Sequence, residues 1–219
     1  GRGVRVNSKV VTQFDYQLHR GDHIAISKSK QNDKFKSRYV KILYEDKWIV
    51  VIEKNIGILS MAAGSKSLNV KSVLDDYFNK TRQACRAHVV HRLDRDTSGL
   101  LLITDNGPLG FQLLHPQYHV EKVYEVEVNG PLYAAHIEQF QNGISFTDGP
   151  LCKPASLTIL ESHPSYSKAQ VRISEGKYHQ VKKMFLAIGV KVMTLKRLSF
   201  GPFTLDPQLG PGERRPLNE

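Results

Sequence analysis

The chain has 219 residues, enough for one large or two small domains, and its apolar fraction of 40% and charged fraction of 24% are those of an ordinary globular protein. The net charge of +10 and the isoelectric point near 9.6 are unusual, and they favour an anionic partner, with nucleic acid first. Two distant cysteines, Cys85 and Cys152, disfavour a disulfide framework or a structural zinc site, and the lack of a signal peptide or bilayer-length apolar run predicts a cytoplasmic protein without membrane association.

Residues 1–28 are predicted to form a small appendage of short strands. In "VRVNSKVVTQFDYQLHRGDHIAI", short β-rich runs alternate with polar turns at Asn7-Ser8 and Gly21-Asp22. Residues 29–38 are polar and rich in lysine, which is typical of a flexible charged linker. We therefore expect the main domain to cover residues 39–219.

The main domain alternates strands with helices. Two β-rich runs flank a turn at Glu45-Asp46, and a helix with Ser67 as its candidate N-cap follows. The apolar face of that helix comprises Val70, Val73, Leu74, Tyr77 and Phe78. Asn106 is expected to start a short helix, and "VEKVYEVEV" and "AQVRIS" alternate as strands.

The remaining elements are a helix ending near Gly143, a strand at 155–160, a helix over 178–188 before Gly189, and strand structure in "VMTLKRLSFGPFTLD". Strands dominate and no fixed-period repeat is visible. The pattern predicts an α+β domain on a mostly antiparallel sheet.

"HRLDRDTSGLLL", residues 91–102, places two acids among arginines and then continues as a hydrophobic run. Asp94 stands where a loop would feed a buried strand, and a carboxylate there could act as a nucleophile or a base. The alternative is a loop aspartate that caps backbone amides and pairs with Arg92 or Arg95. The local pattern alone favours this structural role.

Tyr124 follows Lys122 by two residues, so both side chains share one face of the predicted strand. A phenol and an ammonium group that point into one site could stack on a base and contact a phosphate. The alternative is a tyrosine packed at a sheet edge beside a solvated lysine. Taken alone, the pair favours this alternative.

"SEGKYHQVKKMF" predicts a helix that buries Val181 and begins after a turn at Glu175-Gly176-Lys177, a position suited to anions. From Lys177 to Phe200 the chain has six lysines or arginines and no acid. We call this run the basic stripe, and we expect Lys177, Lys183 and Arg197 within it to contact RNA. A merely solvated helix face is the alternative, which the absence of any compensating acid weakens.

Four segments together, in this order, resemble the signature blocks of RsuA-type pseudouridine synthases: "HRLDRDTSGLLLITDNG", "HPQYHVEKVYEV", "SEGKYHQVKKMF" and "LKRLSFGPFTLD…LGPGERRPLNE". The likeness runs from Val40 onward and implies the pseudouridine synthase fold, a mostly antiparallel mixed sheet flanked by helices and loops. The appendage resembles the C-terminal half of the RNA-binding domain named after ribosomal protein S-four, without its helical half. His91 and "RDTSG" resemble the neighbouring RluA-type group, whereas the lysine after "HQV" is RsuA-like.

The resemblance implies roles for individual residues. Asp94 matches the catalytic aspartate, Tyr124 the active-site tyrosine, and Lys182 the basic residue that pairs with the aspartate. Arg92 matches the arginine that fills the space left by the flipped nucleotide, and Val181 an apolar wall of the base pocket. Asp96 is then expected to be a structural partner of the loop, and His91 has no assigned role. The residues expected to bind RNA are Arg92, Lys122, Lys177, Val181, Lys183 and Arg197.

The implied reaction is the site-specific isomerisation of uridine to pseudouridine in ribosomal RNA, by base flipping followed by aspartate-dependent cleavage and re-attachment of uracil. It needs no redox change or external group, so no cofactor and no metal are expected. Small-subunit RNA is the preferred target, and a monomer is the default. Attack on the ribose by Asp94 and removal of a sugar proton by Asp94 both remain open.

Three alternatives stand beside this prediction. One is a large-subunit synthase of the same family, and another is a non-catalytic RNA-binding ribosome assembly factor. The third is a metal-dependent nuclease that uses Asp94 and Asp96. The nuclease is disfavoured because no further carboxylate or histidine cluster with metal-ligand spacing accompanies these two residues.

Overall fold

The chain separates into two compact units, residues 1–36 and 37–219. The computed structural model describes the backbone of residues 4–6, 9–11 and 24–26, and residues 35, 37–46, 48–61, 67–81, 87–89, 91–118, 120–146, 149 and 151–205. In the smaller unit, strands β1 (Val4–Val6), β2 (Lys9–Val11) and β3 (Ile24–Ile26) form an antiparallel sheet in the order β2-β1-β3. The predicted turns at Asn7-Ser8 and Gly21-Asp22, and most of the predicted linker, lie outside the described residues.

In the described part of the larger unit, eight strands form one sheet, in the order β4-β5-β6-β10-β7-β9-β8 with β11 paired to β10. The strands are β4 (Val40–Glu45), β5 (Ile49–Lys54), β6 (Thr97–Thr104), β7 (Lys122–Val128), β8 (Ser156–His163), β9 (Tyr166–Ile173), β10 (Val192–Phe200) and β11 (Phe203–Thr204). Neighbouring strands are antiparallel except for β6 and β10, which are parallel. The predicted α+β class and mostly antiparallel mixed sheet are confirmed.

The helices of the described chain are α1 (Val70–Lys80), α2 (Gly107–Leu114), α3 (Ala134–Asn142), α4 (Gln180–Ala187) and a 3₁₀ turn at Pro116–Tyr118. None of these described helices is both long and apolar enough to span a bilayer. Asn106 caps α2 as predicted, since its side chain accepts a hydrogen bond from the Leu109 amide.

The N-cap of α1 differs from the prediction. Asn69 occupies the position, not Ser67. The Asn69 side-chain oxygen accepts from the Ser72 amide at 3.0 Å, and the Ser72 hydroxyl accepts from the Asn69 amide at 3.1 Å. This reciprocal box satisfies two amides at once, and Ser67 stands two residues too early to form it.

Strands β5 and β6 carry the core of the sheet. Their sequences, "IVVIEK" and "TSGLLLIT", are nearly continuous apolar runs because both faces of the central strands are covered. One buried cluster comprises Ile49, Val51, Leu100, Leu102 and Phe200. The loop that carries Asp94 therefore enters one of the most deeply buried strands of the fold.

Lys54, at the end of β5, is a fully buried cation. Its Nζ donates to the carbonyl oxygens of Asn55 and Ile58, both at 2.9 Å. Burial lowers the pKa of Lys54 to about 8, although the nearby charges of Asp94 and Asp96 raise it. Lys54 therefore fixes the turn that follows β5 at an electrostatic cost.

Replacing Lys54 with methionine is expected to remove a pH-dependent part of the stability. The folded lysine loses its proton near pH 8, and the unfolded lysine near its ordinary 10.5. Between these values the unfolded state binds more protons, so the contribution of Lys54 to the free energy of unfolding rises with pH. The full rise is on the order of 3 kcal/mol. Urea titrations of both proteins at pH 7 and pH 10 measure it, and parallel pH dependences would contradict the assignment.

Candidate active site

A cleft of about 730 Å³ opens where the loop preceding β6 meets β7, β10 and the start of α4. This volume is within the range typical of small-molecule pockets and suits a single nucleotide. The cleft is lined by eight of the nine residues predicted from the sequence to act in catalysis or RNA binding, namely Arg92, Asp94, Lys122, Tyr124, Lys177, Val181, Lys182 and Arg197. Residues widely separated in the chain are therefore brought to one site.

Asp94 is held by a cation from the other end of the domain. Lys182 Nζ lies 3.1 Å from Asp94 Oδ2 and 2.7 Å from Asp96 Oδ1, so one ammonium group bridges both acids. The Asp94 side chain is 36% exposed and that of Lys182 is 24% exposed. The predicted pairing of Asp94 with Lys182 is present, and Asp96 shares the same cation.

The charges in this cluster reinforce one another. Partial burial opposes the charged form of Lys182, but hydrogen bonds to Asp96 and Asp94 outweigh it and raise the pKa of Lys182. The hydrogen bond from Lys182 in turn lowers the pKa of Asp96. The cleft thus holds a fixed ammonium beside two carboxylates, and the positive charge favours the ionised form of Asp96.

Tyr124 lines the same cleft from β7, and the residue is 8% exposed. Its hydroxyl accepts a hydrogen bond from Arg197 Nη1 at 3.4 Å, and Arg197 Nε donates to the Leu100 carbonyl at 2.9 Å. Arg197 is buried on β10 and lines the cleft from within, so any contact with RNA would have to take place inside the cleft. A buried guanidinium keeps its charge, and here its donors organise the floor of the cleft.

His91, which the sequence left without a role, completes this buried group. Its Nδ1 contacts Arg197 Nη2, and its ring stacks on Phe200 with 3.8 Å between centroids and 6° between planes. Burial lowers the pKa of His91 well below its usual range, and the positive charges of Arg197 and Lys122 lower it further. A neutral imidazole therefore supports the guanidinium that contacts Tyr124. The sequence offers no local signal for this contact, because its partners lie on a distant strand.

The other lysines expected to bind RNA differ in their burial and in their contacts within the protein. Lys122 is partly buried, its Nζ donates to the Val120 carbonyl at 3.1 Å, and burial followed by the charge of Arg197 lowers its pKa. Lys177 Nζ donates to the Leu151 carbonyl at 2.7 Å and pairs with Glu175 at 3.3 Å, so it fixes a loop. Lys183 is exposed, with Nζ 5.3 Å from the centre of the Tyr178 ring.

The start of α4, expected to suit an external anion, receives a carboxylate of the chain itself. Glu175 Oε1 accepts from Gln180 Nε2 at 2.7 Å and from the Lys153 amide at 2.9 Å. Gln180 also accepts from the Lys177 amide at 2.8 Å through its side-chain oxygen. These bonds fix the loop that places Val181 and Lys182 in the cleft.

Possible metal donors do not gather at any one place in the described part of the chain. Among the residues that the structure describes, no group of three or more histidine, cysteine, aspartate or glutamate side chains could hold a metal ion. Cys152 is buried and free, and Cys85 lies outside the described residues.

Comparison with known proteins identifies the family of this chain. The family model for RNA pseudouridylate synthases matches residues 48–187, which include Asp94, Tyr124 and Lys182. This chain belongs to the RNA pseudouridylate synthase family. The predicted RsuA-type resemblance is confirmed by curated relatives that are named ribosomal small subunit pseudouridine synthase A.

The relatives differ in how much of their sequence they share with this chain. Ribosomal small subunit pseudouridine synthase A of Yersinia pestis is 42% identical over 142 residues, which is 64% of this chain and 59% of that protein. The uncharacterized RNA pseudouridine synthase YtzG of Bacillus subtilis (strain 168) is 36% identical over 176 residues, covering 80% of this chain and 72% of that protein. A solved pseudouridylate synthase structure superposes with a TM-score of 0.62 and 28% identity, covering 99% of this chain and 86% of that one. The chain thus spans about three fifths of the length of the Yersinia relative.

Proposed function

We propose that this chain converts uridine to pseudouridine at a specific position in ribosomal RNA, with small-subunit RNA as the preferred target. The observation that carries the proposal is the Asp94 carboxylate, which accepts a hydrogen bond from Lys182 in a nucleotide-sized cleft that also contains Tyr124. The names of the curated relatives, which refer to the ribosomal small subunit, support the choice of RNA.

The reaction requires a base that has left its stack, because the bond to be broken lies inside the stacked nucleotide. Arg92, exposed at the cleft rim, is proposed to take the vacated space, while Tyr124 stacks on the uracil and Val181 forms an apolar wall. Lys183 is suited to a phosphate contact because its ammonium group is exposed. Of the basic stripe, Lys183 is thus the residue that we assign to RNA affinity.

Asp94 then begins the cleavage. The glycosidic bond from ribose to uracil nitrogen breaks, uracil turns, a carbon–carbon bond forms from the ribose to carbon 5, and the carbon 5 proton leaves. Asp94 either attacks the ribose carbon or removes a sugar proton, and both steps require an ionised carboxylate. The product has the same atoms as the substrate, so the reaction uses no redox partner.

Residues 1–28 are proposed to act as a partial RNA-binding module of the S-four type, joined through residues 29–38 to the catalytic domain of residues 39–219. Three short antiparallel strands in this unit and the lysine-rich composition of the linker support that role. We further propose that the protein acts in the cytoplasm as a monomer, on RNA or on an assembling ribosomal subunit, and that the reaction needs no cofactor.

The deciding experiment maps pseudouridine in ribosomal RNA from cells with and without this protein. A small-subunit pseudouridine that disappears without the protein is the expected result, and a missing large-subunit one would assign a sibling target. Purified protein should also release the carbon 5 hydrogen from labelled uridine in that RNA, in the presence of chelator. Tight RNA binding without hydrogen release would instead identify an assembly factor.

A further inference from the structure

His179, which immediately precedes α4, has a backbone conformation that requires an explanation. Its φ of 53° and ψ of 32° are left-handed, and it is the one non-glycine residue with positive φ among those the structure describes. Such a conformation costs a non-glycine residue roughly 1–2 kcal/mol and is found where surrounding contacts impose it, often at functional sites. His179 occupies the N-cap position of α4, yet its side chain makes no capping hydrogen bond. The strain therefore does not serve the helix.

The left-handed backbone instead directs the imidazole to Asp94. His179 Nε2 lies 3.4 Å from Asp94 Oδ2, and the ring stacks on Tyr178 with 3.9 Å between centroids and 19° between planes. Lys183 Nζ lies 5.3 Å from the centroid of the Tyr178 ring, which adds a cation–π contact to the stack. The imidazole is thus supported on its face while its edge points at the carboxylate.

Lys182 and His179 reach the same oxygen of Asp94. Lys182 Nζ is 3.1 Å from Oδ2, and His179 Nε2 approaches that oxygen too, whereas no hydrogen bond or ion pair reaches Oδ1 from the described part of the chain. The two oxygens of the Asp94 carboxylate therefore differ in their contacts with the protein. The hydrogen bond from Lys182 and the close approach of the His179 ring at Oδ2 restrict rotation of the carboxylate, while the lone pairs of Oδ1 stay available.

We propose that His179 is a positioning residue for Asp94: together with Lys182 it holds Oδ2, so that Oδ1 is the atom that reacts with the ribose. This inference rests on the proposed function, because it names the reacting oxygen of that same site. It explains why a histidine occupies a strained left-handed position that glycine would adopt without cost.

Replacing His179 with glycine tests the proposal, because glycine removes the imidazole and also relieves the backbone strain. The variant is expected to unfold at a temperature equal to or above that of the wild type, since left-handed φ is free of cost for glycine. Its KM for RNA should stay within about threefold, while kcat falls roughly 100-fold because Asp94 loses its orientation. Free imidazole in the assay should restore part of kcat in a saturable manner, as it can occupy the space the side chain leaves.

The matched control is His163→Ala, whose side chain is 61% exposed at the end of β8. Its kcat should equal that of the wild type and should not respond to imidazole. A His179→Gly variant with wild-type kcat, or one whose loss of kcat is unaffected by imidazole, would overturn the inference. A wild-type protein that forms no pseudouridine in any ribosomal RNA would overturn the proposed function, and the positioning role with it.

Discussion

Replacing Asp94 with asparagine is expected to abolish pseudouridine formation, with a fall in kcat of roughly 10⁴-fold or more. The amide has nearly the same shape as the carboxylate, but it can neither attack the ribose nor accept a proton at neutral pH. RNA affinity should change little, because the cleft loses one negative charge and keeps its lysines and arginines. Hydrogen release from carbon 5 measures the first quantity, and filter binding of the target RNA fragment measures the second.

Asp96→Asn is the control for this substitution, since Asp96 contacts the same Lys182 nitrogen but its side chain is 73% exposed. Exposed ion pairs contribute little to stability, so Lys182 should keep its contact with Asp94 when Asp96 is replaced. We therefore expect kcat to fall by about tenfold at most. If Asp94→Asn retained turnover, or if both variants lost activity equally, Asp94 would not be the group that starts the reaction.

Replacing Gly99 with alanine is expected to be the most destabilising single methyl addition in the described sheet. Gly99 has a φ of +114°, and a Cβ built on it would lie 2.5 Å from the Arg197 nitrogen and 2.8 Å from the Arg197 carbonyl carbon. Both atoms belong to the backbone of β10, so no side chain can move aside. Strained backbone and steric overlap together should lower the free energy of unfolding by roughly 3–5 kcal/mol.

Thermal unfolding measures this loss, with an expected fall in Tm of roughly 10 °C for a chain of this size. The control is Gly110→Ala in α2, where the nearest atom to a new Cβ is the Thr104 Cγ2 at 3.9 Å. Alanine favours helix, so that variant should be as stable as the wild type or slightly more stable. If the two variants were equally stable, the backbone of β10 would have to move away from the new Cβ at residue 99. That result would contradict the close pairing of Gly99 with Arg197 in the parallel strands.

Local patterns predicted the elements of the larger unit well. The alternation in "VEKVYEVEV" placed Lys122 and Tyr124 on one face of β7, and both line the cleft. The apolar run after Asp94 became β6, and Asn106 capped α2. Periodicity and capping chemistry depend on neighbours a few residues apart, so the sequence contains what these predictions need.

Contacts between distant strands were beyond such patterns. Arg197 was expected to contact RNA as part of a basic run, and that run gave no sign that the pairing of β10 with β6 buries it beside His91 and Tyr124. The left-handed backbone of His179 was also missed. The residue that adopts it is a histidine and not a glycine, and its contact is with Asp94, which is distant in the sequence. Family resemblance identified Asp94 and Lys182 because it carries such long-range information, whereas spacing alone favoured a structural loop.

The position of β10 between β6 and β7 has a consequence for the order in which the protein matures. Strands β6 and β7 carry the Asp94 loop and Tyr124, yet in the sheet they are separated by β10, a strand that starts 70 residues after the start of β7 (192 − 122). Until residues 192–200 have left the ribosome, the two halves of the cleft have no common support. We therefore expect a nascent chain that already contains Asp94, Tyr124 and Lys182 to be inactive until β10 has joined the sheet.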